Sequence, residues 1–356
     1  MDENHNPKNI SSIDGQLPLR VYKKRWFMLL IYFIIFPIST MQWTQFTLIA
    51  NIVVDYYNVS YEAVNWTYLI TSINAIVFAF PCCYLVDKFG IKNGALFAIG
   101  GATAGAWIKF YSISPDKFWL VLVGQAVLSV PQMCLVGIGP KLAADWFKAG
   151  EVAMANSIGI IGLQLGIALG FLLPPLLVKK ETVEDDLYTS ALGLAVICTI
   201  AFVLVFLFLK DKPPKPPSQA SLKKYNKIHY IKSVKNLMKN VPYLLVVLVG
   251  GSNVAILCLI QSLLNQIVLK YHPAGEEDAG LMGLLMMVFC ITGCFICGGV
   301  LMKFKTYRLC YCISTLFMSV ALVMFVNTLQ LNIIFPFVGI CLYGYVYRLQ
   351  CIFVCP

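Results

Sequence analysis

Ten apolar stretches, each long enough to cross a lipid bilayer, leave this chain almost no choice of fold. They lie at about 26–53, 64–86, 94–114, 118–142, 150–178, 188–209, 242–268, 280–302, 308–327 and 331–352. A spanning helix needs about 20 mostly apolar residues. In lipid each backbone amide must be satisfied within its own segment, so these runs are expected to be helices. The composition agrees: 59% of residues are hydrophobic and 12% charged, whereas ordinary water-soluble domains carry about 25% charged residues. The expected class is an all-α membrane protein, with six spans, an interruption, and four more.

The charges orient the spans. Lys8, Arg20, Lys23, Lys24 and Arg25 precede the first, and the loops after even-numbered spans carry Lys88, Lys92, Lys141, Lys148, the lysines of 210–239, Lys303, Lys305 and Arg308. The opposite loops hold Asp55, Glu62, Glu181, Glu184, Asp185, Asp186, Glu276, Glu277 and Asp278, with Lys179 and Lys180 as the exception. Retention of Lys and Arg on the cytoplasmic side places the N-terminus inside. The net charge of +10 is therefore a topology signal with some attraction to anionic lipid, and no nucleic-acid partner is expected. The domains expected are a cytoplasmic arm at 1–25, a six-helix bundle at 26–209, a cytoplasmic Lys- and Pro-rich linker at 210–240 and an incomplete bundle at 241–356. The prolines of 213–217 cannot lie inside a helix. Tyr230 to Asn240 has the pattern of a short surface helix.

Little in the chain suits catalysis. His5, His229 and His272 all fall in solvent-facing segments, and neither a nucleophile elbow nor a phosphate-binding glycine loop occurs. The 13 cysteines lie mostly in apolar runs, where a thiol packs as a small apolar group. Cys294 and Cys297 lack the second pair that a metal site needs. An enzyme is not expected, nor a cofactor or a metal. No Asp or Glu lies deep in any span, so nothing matches the intramembrane acids of proton relays.

What the spans hold is amides and aromatics. Gln42, Trp43, Thr44, Gln45 and Asn51 fall in the first, Gln125 and Gln132 in the fourth, Asn156 and Gln164 in the fifth, and Asn253, Gln261, Asn265 and Gln266 in the seventh. A buried amide must find partners, in another helix or in a water-filled cavity. A tryptophan at mid-span is out of place, because indoles settle at the membrane interface. Its π face can hold an organic cation without a counter-charge, worth about 2 kcal/mol when water is excluded. Trp43 beside Gln45 is thus the candidate binding element. Asp87, Lys88 and Gly90 between spans two and three form a candidate gating loop, similar to the loop signature of the major facilitators.

Longer strings carry a closer resemblance: Gln42-Trp43-x-Gln45, Trp107-Ile108-Lys109, Gly124-Gln125, Trp146-Phe147, Gln164-Leu165-Gly166 running to Pro174-Pro175, and Leu263-Leu264-Asn265-Gln266. Together they resemble the feline leukaemia virus subgroup C receptor-related transporters, a branch of the major facilitator superfamily. The resemblance implies a twelve-helix, multi-pass, alternating-access transporter in the plasma membrane for choline or ethanolamine, with haem export as the alternative. The absence of a buried His weighs against haem ligation. The resemblance places substrate contacts at Trp43, Gln164 and, where the family has Tyr, Cys258, with Asp87 capping a neighbouring helix. The Cys at 258 removes one aromatic wall, and Leu163 replaces an expected Asn. After Phe337-Val338-Gly339-Ile340 the family pattern would continue into two further helices, whereas this sequence turns to Tyr347-Arg348-Leu349-Gln350 and ends at Pro356. A non-transporting truncated isoform or interaction partner is the alternative of another class.

Overall fold

The computed structural model describes residues 21–215, 217, 236–273, 275–304, 307–330 and 333–354, with backbone only for 149, 294–304, 307–311 and 348–354. Eleven α-helices are present among the described residues: α1 (Lys24–Thr40), α2 (Ala50–Tyr57), α3 (Tyr61–Phe89), α4 (Ile91–Phe110), α5 (Phe118–Trp146), α6 (Val152–Leu177), α7 (Val183–Phe208), α8 (Val241–Tyr271), α9 (Glu276–Phe304), α10 (Tyr307–Thr328) and α11 (Ile334–Val354). There are no strands among them. Five of these helices meet a strict length and hydropathy requirement for spanning, and the protein is an integral membrane protein. Large apolar side chains such as Ile76, Phe80, Ile200 and Leu316 are exposed, as a surface solvated by acyl chains requires.

The first apolar run departs from expectation. It is not one helix over 26–53: α1 ends at Thr40, residues 41–46 turn irregularly, and a 3₁₀ turn at Thr47–Ile49 leads into α2. Met41 and Trp43 still donate backbone bonds to Pro37 and Thr40 at 2.9 and 3.1 Å. Two carbonyls within the irregular stretch and the turn after it are satisfied by side-chain amides, Gln42 O by Gln125 Nε2 at 3.3 Å and Leu48 O by Asn265 Nδ2 at 2.7 Å. A break inside the membrane is tolerated where such partners replace the helical ones. The surface helix expected at Tyr230–Asn240 lies outside the described residues except for a short turn at 236–240.

A glycine stripe on α6 explains where the break packs. A side chain at Gly166 would collide with Thr40 and Pro37, and one at Gly170 with Met41 and Thr44. Spacing of small residues by four lets two backbones approach closely. The remaining first-half helices close around Met28, Ile35, Ile99, Leu135 and Trp146, with α4 lying along α5. A second apolar cluster joins Met282, Met286, Phe325, Ile340 and Tyr343 of α9–α11 to Phe171 of α6 and Leu48. Phe171 fits against Gly283 and Gly280 of α9, which leave no room for a Cβ.

The two groups of helices, α1–α7 and α8–α11, touch unevenly. One end of the molecule carries Lys24, Gly90, Phe147 and Leu209; we term it the linker end. The far end carries Asn58, Ser112, Lys180 and His272. Each hydrogen bond found between the groups among the described residues lies at mid-depth or toward the far end. Asn51 Nδ2 and Lys180 Nζ reach Glu276 Oε1 at 2.6 and 2.5 Å. Gln266 Nε2 donates to Asn65 Oδ1 at 2.8 Å, and Tyr68 OH to Gln261 Oε1 at 2.9 Å. By contrast, α8 is exposed or half-buried around its whole circumference from Val241 to Ser252.

Candidate functional site

The irregular stretch sends its side chains in two directions. Trp43 is half-buried and packs against both apolar clusters, so its ring lies at the seam between the helix groups. Its indole N–H donates to Gln132 Oε1 of α5 at 2.6 Å. That bond fixes the ring's edge and leaves the π faces for other contacts.

Gln164 approaches the same seam from α6, where Leu163 packs against both clusters as Trp43 does. Its Nε2 donates to Cys290 Sγ at 3.0 Å and approaches Met287 Sδ at 3.9 Å. Sulfur is a weak acceptor, so this amide is held loosely for a group buried at this depth. Cys258 lies on the α8 side of the seam, its thiol beside the Tyr68 hydroxyl. Tyr68, fully buried in α3, thus brings an aromatic ring next to the position where the resemblance led one to expect a tyrosine.

Gln42 and Gln45 do not join them. Gln42 turns into the first helix group, where its Nε2 meets Cys198 Sγ at 3.5 Å, while its Oε1 has no hydrogen-bond partner among the described residues. Gln45 faces α4 and accepts from Lys109 Nζ at 3.4 Å. The five expected contact residues are therefore split, with Trp43, Gln164 and Cys258 at the seam and the two flanking glutamines away from it. Three residues not singled out as site residues emerge. Gln132 orients the indole, Tyr68 flanks Cys258, and Lys109 is a buried lysine. Lys109 was visible as a base inside an apolar run, but its depth was not.

The gating loop also differs in detail. Gly90 adopts φ +97°, a conformation glycine takes without strain, and it ends α3 while starting α4. Asp87 is mostly exposed and pairs with Lys141 Nζ at 3.6 Å; that ammonium also caps α3 through Val86 O at 2.6 Å and Asp87 O at 2.9 Å. The carboxylate that caps the next helix is Asp211, which accepts from Lys92 N at 2.7 Å. The linker's first acid, rather than Asp87, thus does the capping of α4.

A polytopic all-helical fold with two helix groups meeting around a polar seam is the architecture of secondary transporters. The chain belongs to the major facilitator superfamily, whose family model matches residues 30–353. It is 37% identical over 334 residues to an MFS-type transporter of Caenorhabditis elegans, covering 92% of this chain and 57% of that protein. It is 34% identical over 314 residues to a choline/ethanolamine transporter of Danio rerio, covering 85% of this chain and 66% of the relative. The human choline/ethanolamine transporter FLVCR2 is 32% identical over 322 residues, with 88% and 61% covered. The chain thus spans about three-fifths to two-thirds of the length of these relatives. In fold it is similar to a bacterial homologue of the lysosomal transporter Spinster in an inward-facing, unoccupied conformation, with TM-score 0.70, 14% identity, and 94% and 76% of the two chains covered. An Escherichia coli fucose:proton symporter gives TM-score 0.63 at 13% identity, covering 94% and 84%.

Proposed function

We propose that the chain moves a small organic cation of the choline or ethanolamine type across the plasma membrane by alternating access. The observation that carries this reading is Trp43: a half-buried indole at mid-span, pinned by its N–H to Gln132, at the seam of two helix groups. No Asp or Glu among the described residues lies at its depth. A quaternary ammonium needs no hydrogen-bond acceptor, so aromatic faces hold it where a carboxylate would be hard to desolvate. Gln164, held only by sulfur, has donors and an acceptor to offer a hydroxyl group. The similarity to choline/ethanolamine transporters supports the same class of solute.

In this reading 26–209 and 241–356 are two bodies that rock, and 210–240 is a tether. The lysine-rich linker end faces the cytoplasm. With contacts at the far end and α8 bare toward the linker end, the conformation is inward-facing. Glu276, held by Asn51 and Lys180, latches the outer side, and the hydrogen bond to Glu276 raises the Lys180 ammonium above its ordinary value. A cation entering the cell gains about 2.3 kcal/mol per 100 mV of membrane potential, which drives uptake without a coupled ion. The test is radiolabelled choline uptake. Trp43→Ala is expected to abolish it and Trp43→Phe to retain part; uptake unchanged in Trp43→Ala at equal surface expression would sink the proposal.

A further inference from the structure

The side of the irregular stretch facing away from the seam borders a second space. A cleft of about 60 Å³ runs between that stretch, the last turns of α6 and the first turns of α7, walled by Met41, Leu169, Leu173, Leu177, Leu187 and Leu194. A smaller space of about 10 Å³ continues from it past Gln45, Phe46 and Ser190 and ends on Lys109. Five residues line both, so the two form one slot with an apolar entrance and a cationic end.

Lys109 is 3% exposed. Among the described residues its ammonium has one hydrogen bond, to Gln45 Oε1 at 3.4 Å, and one ring contact, to Phe46 at 5.9 Å. It forms no ion pair there. An ammonium carries three donors, and a buried charge without a counter-ion is costly. The end of the slot therefore presents an amine with donors to spare to an acidic head group. Depth is informative too: Lys109 is followed by Phe110, the last residue of α4, and then by Tyr111, 67% exposed. That is headgroup level, where a lipid's polar end lies. At the entrance, Leu177 is half-exposed.

We propose that this slot binds a single-chain carboxylate lipid. Its chain lies between α6 and α7 and its carboxylate takes the place of Gln45 Oε1 on the Lys109 ammonium. A charge-assisted bond of about 2.8 Å replaces a long neutral one. The space at Lys109 is about that of one water molecule, which favours a compact planar head over a phosphodiester bearing two chains. Like charge excludes the cationic solute proposed above, so this site is separate from the seam.

The test uses the purified full chain in nanodiscs and a diazirine-bearing palmitate, with crosslinks mapped by mass spectrometry. Labelling is expected within 169–178 and 187–194 and is expected to be displaced by oleate but not by oleyl alcohol or by diacyl phosphatidylcholine. Lys109→Met is expected to lower it at least ten-fold and Lys109→Arg to retain it. A melting temperature of Lys109→Met at or above that of the parent shows that the variant is folded, as replacing an unpaired buried charge by an apolar chain predicts. Labelling unchanged in folded Lys109→Met, or displacement by oleyl alcohol or phosphatidylcholine as effective as by oleate, overturns the proposal.

Discussion

The seam at Trp43 and the slot at Lys109 lie on opposite sides of the same irregular stretch and treat charge in opposite ways. At the seam, polar groups are neutral amides, weakly acceptoring sulfurs and aromatic rings, with no formal charge among the described residues. In the slot a lysine amine is buried with one long hydrogen bond to hold it among the described residues. The lesson is that adjacent residues on a broken helix need not share a site. Gln42 and Gln45 flank Trp43 in sequence, yet Gln45 belongs to the cationic slot and Gln42 to the interior of the first helix group.

Several changes would sharpen or break that contrast. The largest effect is expected from Gly166→Leu. A side chain there collides with Thr40 and Pro37, and overpacking of this kind costs about 1–3 kcal/mol or more. Both regions rest on this contact, so the expected outcome is loss of a monodisperse peak on size exclusion; a stable, choline-binding variant would show that the stripe does not position the break. Next, Gln132→Leu removes the acceptor of the indole N–H. Leaving a buried donor unsatisfied costs about 1–3 kcal/mol, and choline affinity is expected to fall roughly ten-fold by the affinity scale.

Gln164→Leu and Gln45→Leu form the sharpest pair. The first is expected to weaken choline binding about five-fold, by roughly 1 kcal/mol on the same scale, and the second to leave it within two-fold. Equal losses in both, measured by scintillation proximity, would merge the regions again. The smallest effect is expected from Glu276→Ala. It removes partners of Asn51 and Lys180 at a partly exposed latch, where such ion pairs are worth about 1 kcal/mol or less. Reaction of a thiol placed at Asn58 with a bulky maleimide is expected to change by no more than a few-fold, in the direction of a more open far end.

The helices were legible because a lipid environment demands long apolar runs, and ten of them are unmistakable in the sequence. Interruption of the first run was not legible. Phe46, Leu48, Ile49, Ile52 and Val53 keep the stretch apolar, and the break depends on partners far along the chain, Gln125 and Asn265, that donate to its stranded carbonyls. Trp43 was legible as a misplaced indole. Its separation from Gln45 was not, because direction along an irregular backbone follows no period. Lys109 stood out only once its burial was known: one residue from a helix end, a lysine ordinarily snorkels to the interface, whereas here it is almost wholly buried, with its amine on Gln45 and beside the Phe46 ring. The replacement of an expected tyrosine by Cys258 suggested a lost wall. The Tyr68 hydroxyl lies beside that position from another helix, a neighbour that needs three dimensions to see.

The account stands on the indole at the seam meeting the bound cation. Saturation-transfer NMR on the purified chain with choline tests this directly, by irradiating indole ring protons and observing the N-methyl resonance. The account predicts transfer in the parent protein and its loss in Trp43→Ala, with Gln45→Leu unchanged. Undiminished transfer in folded Trp43→Ala would contradict it.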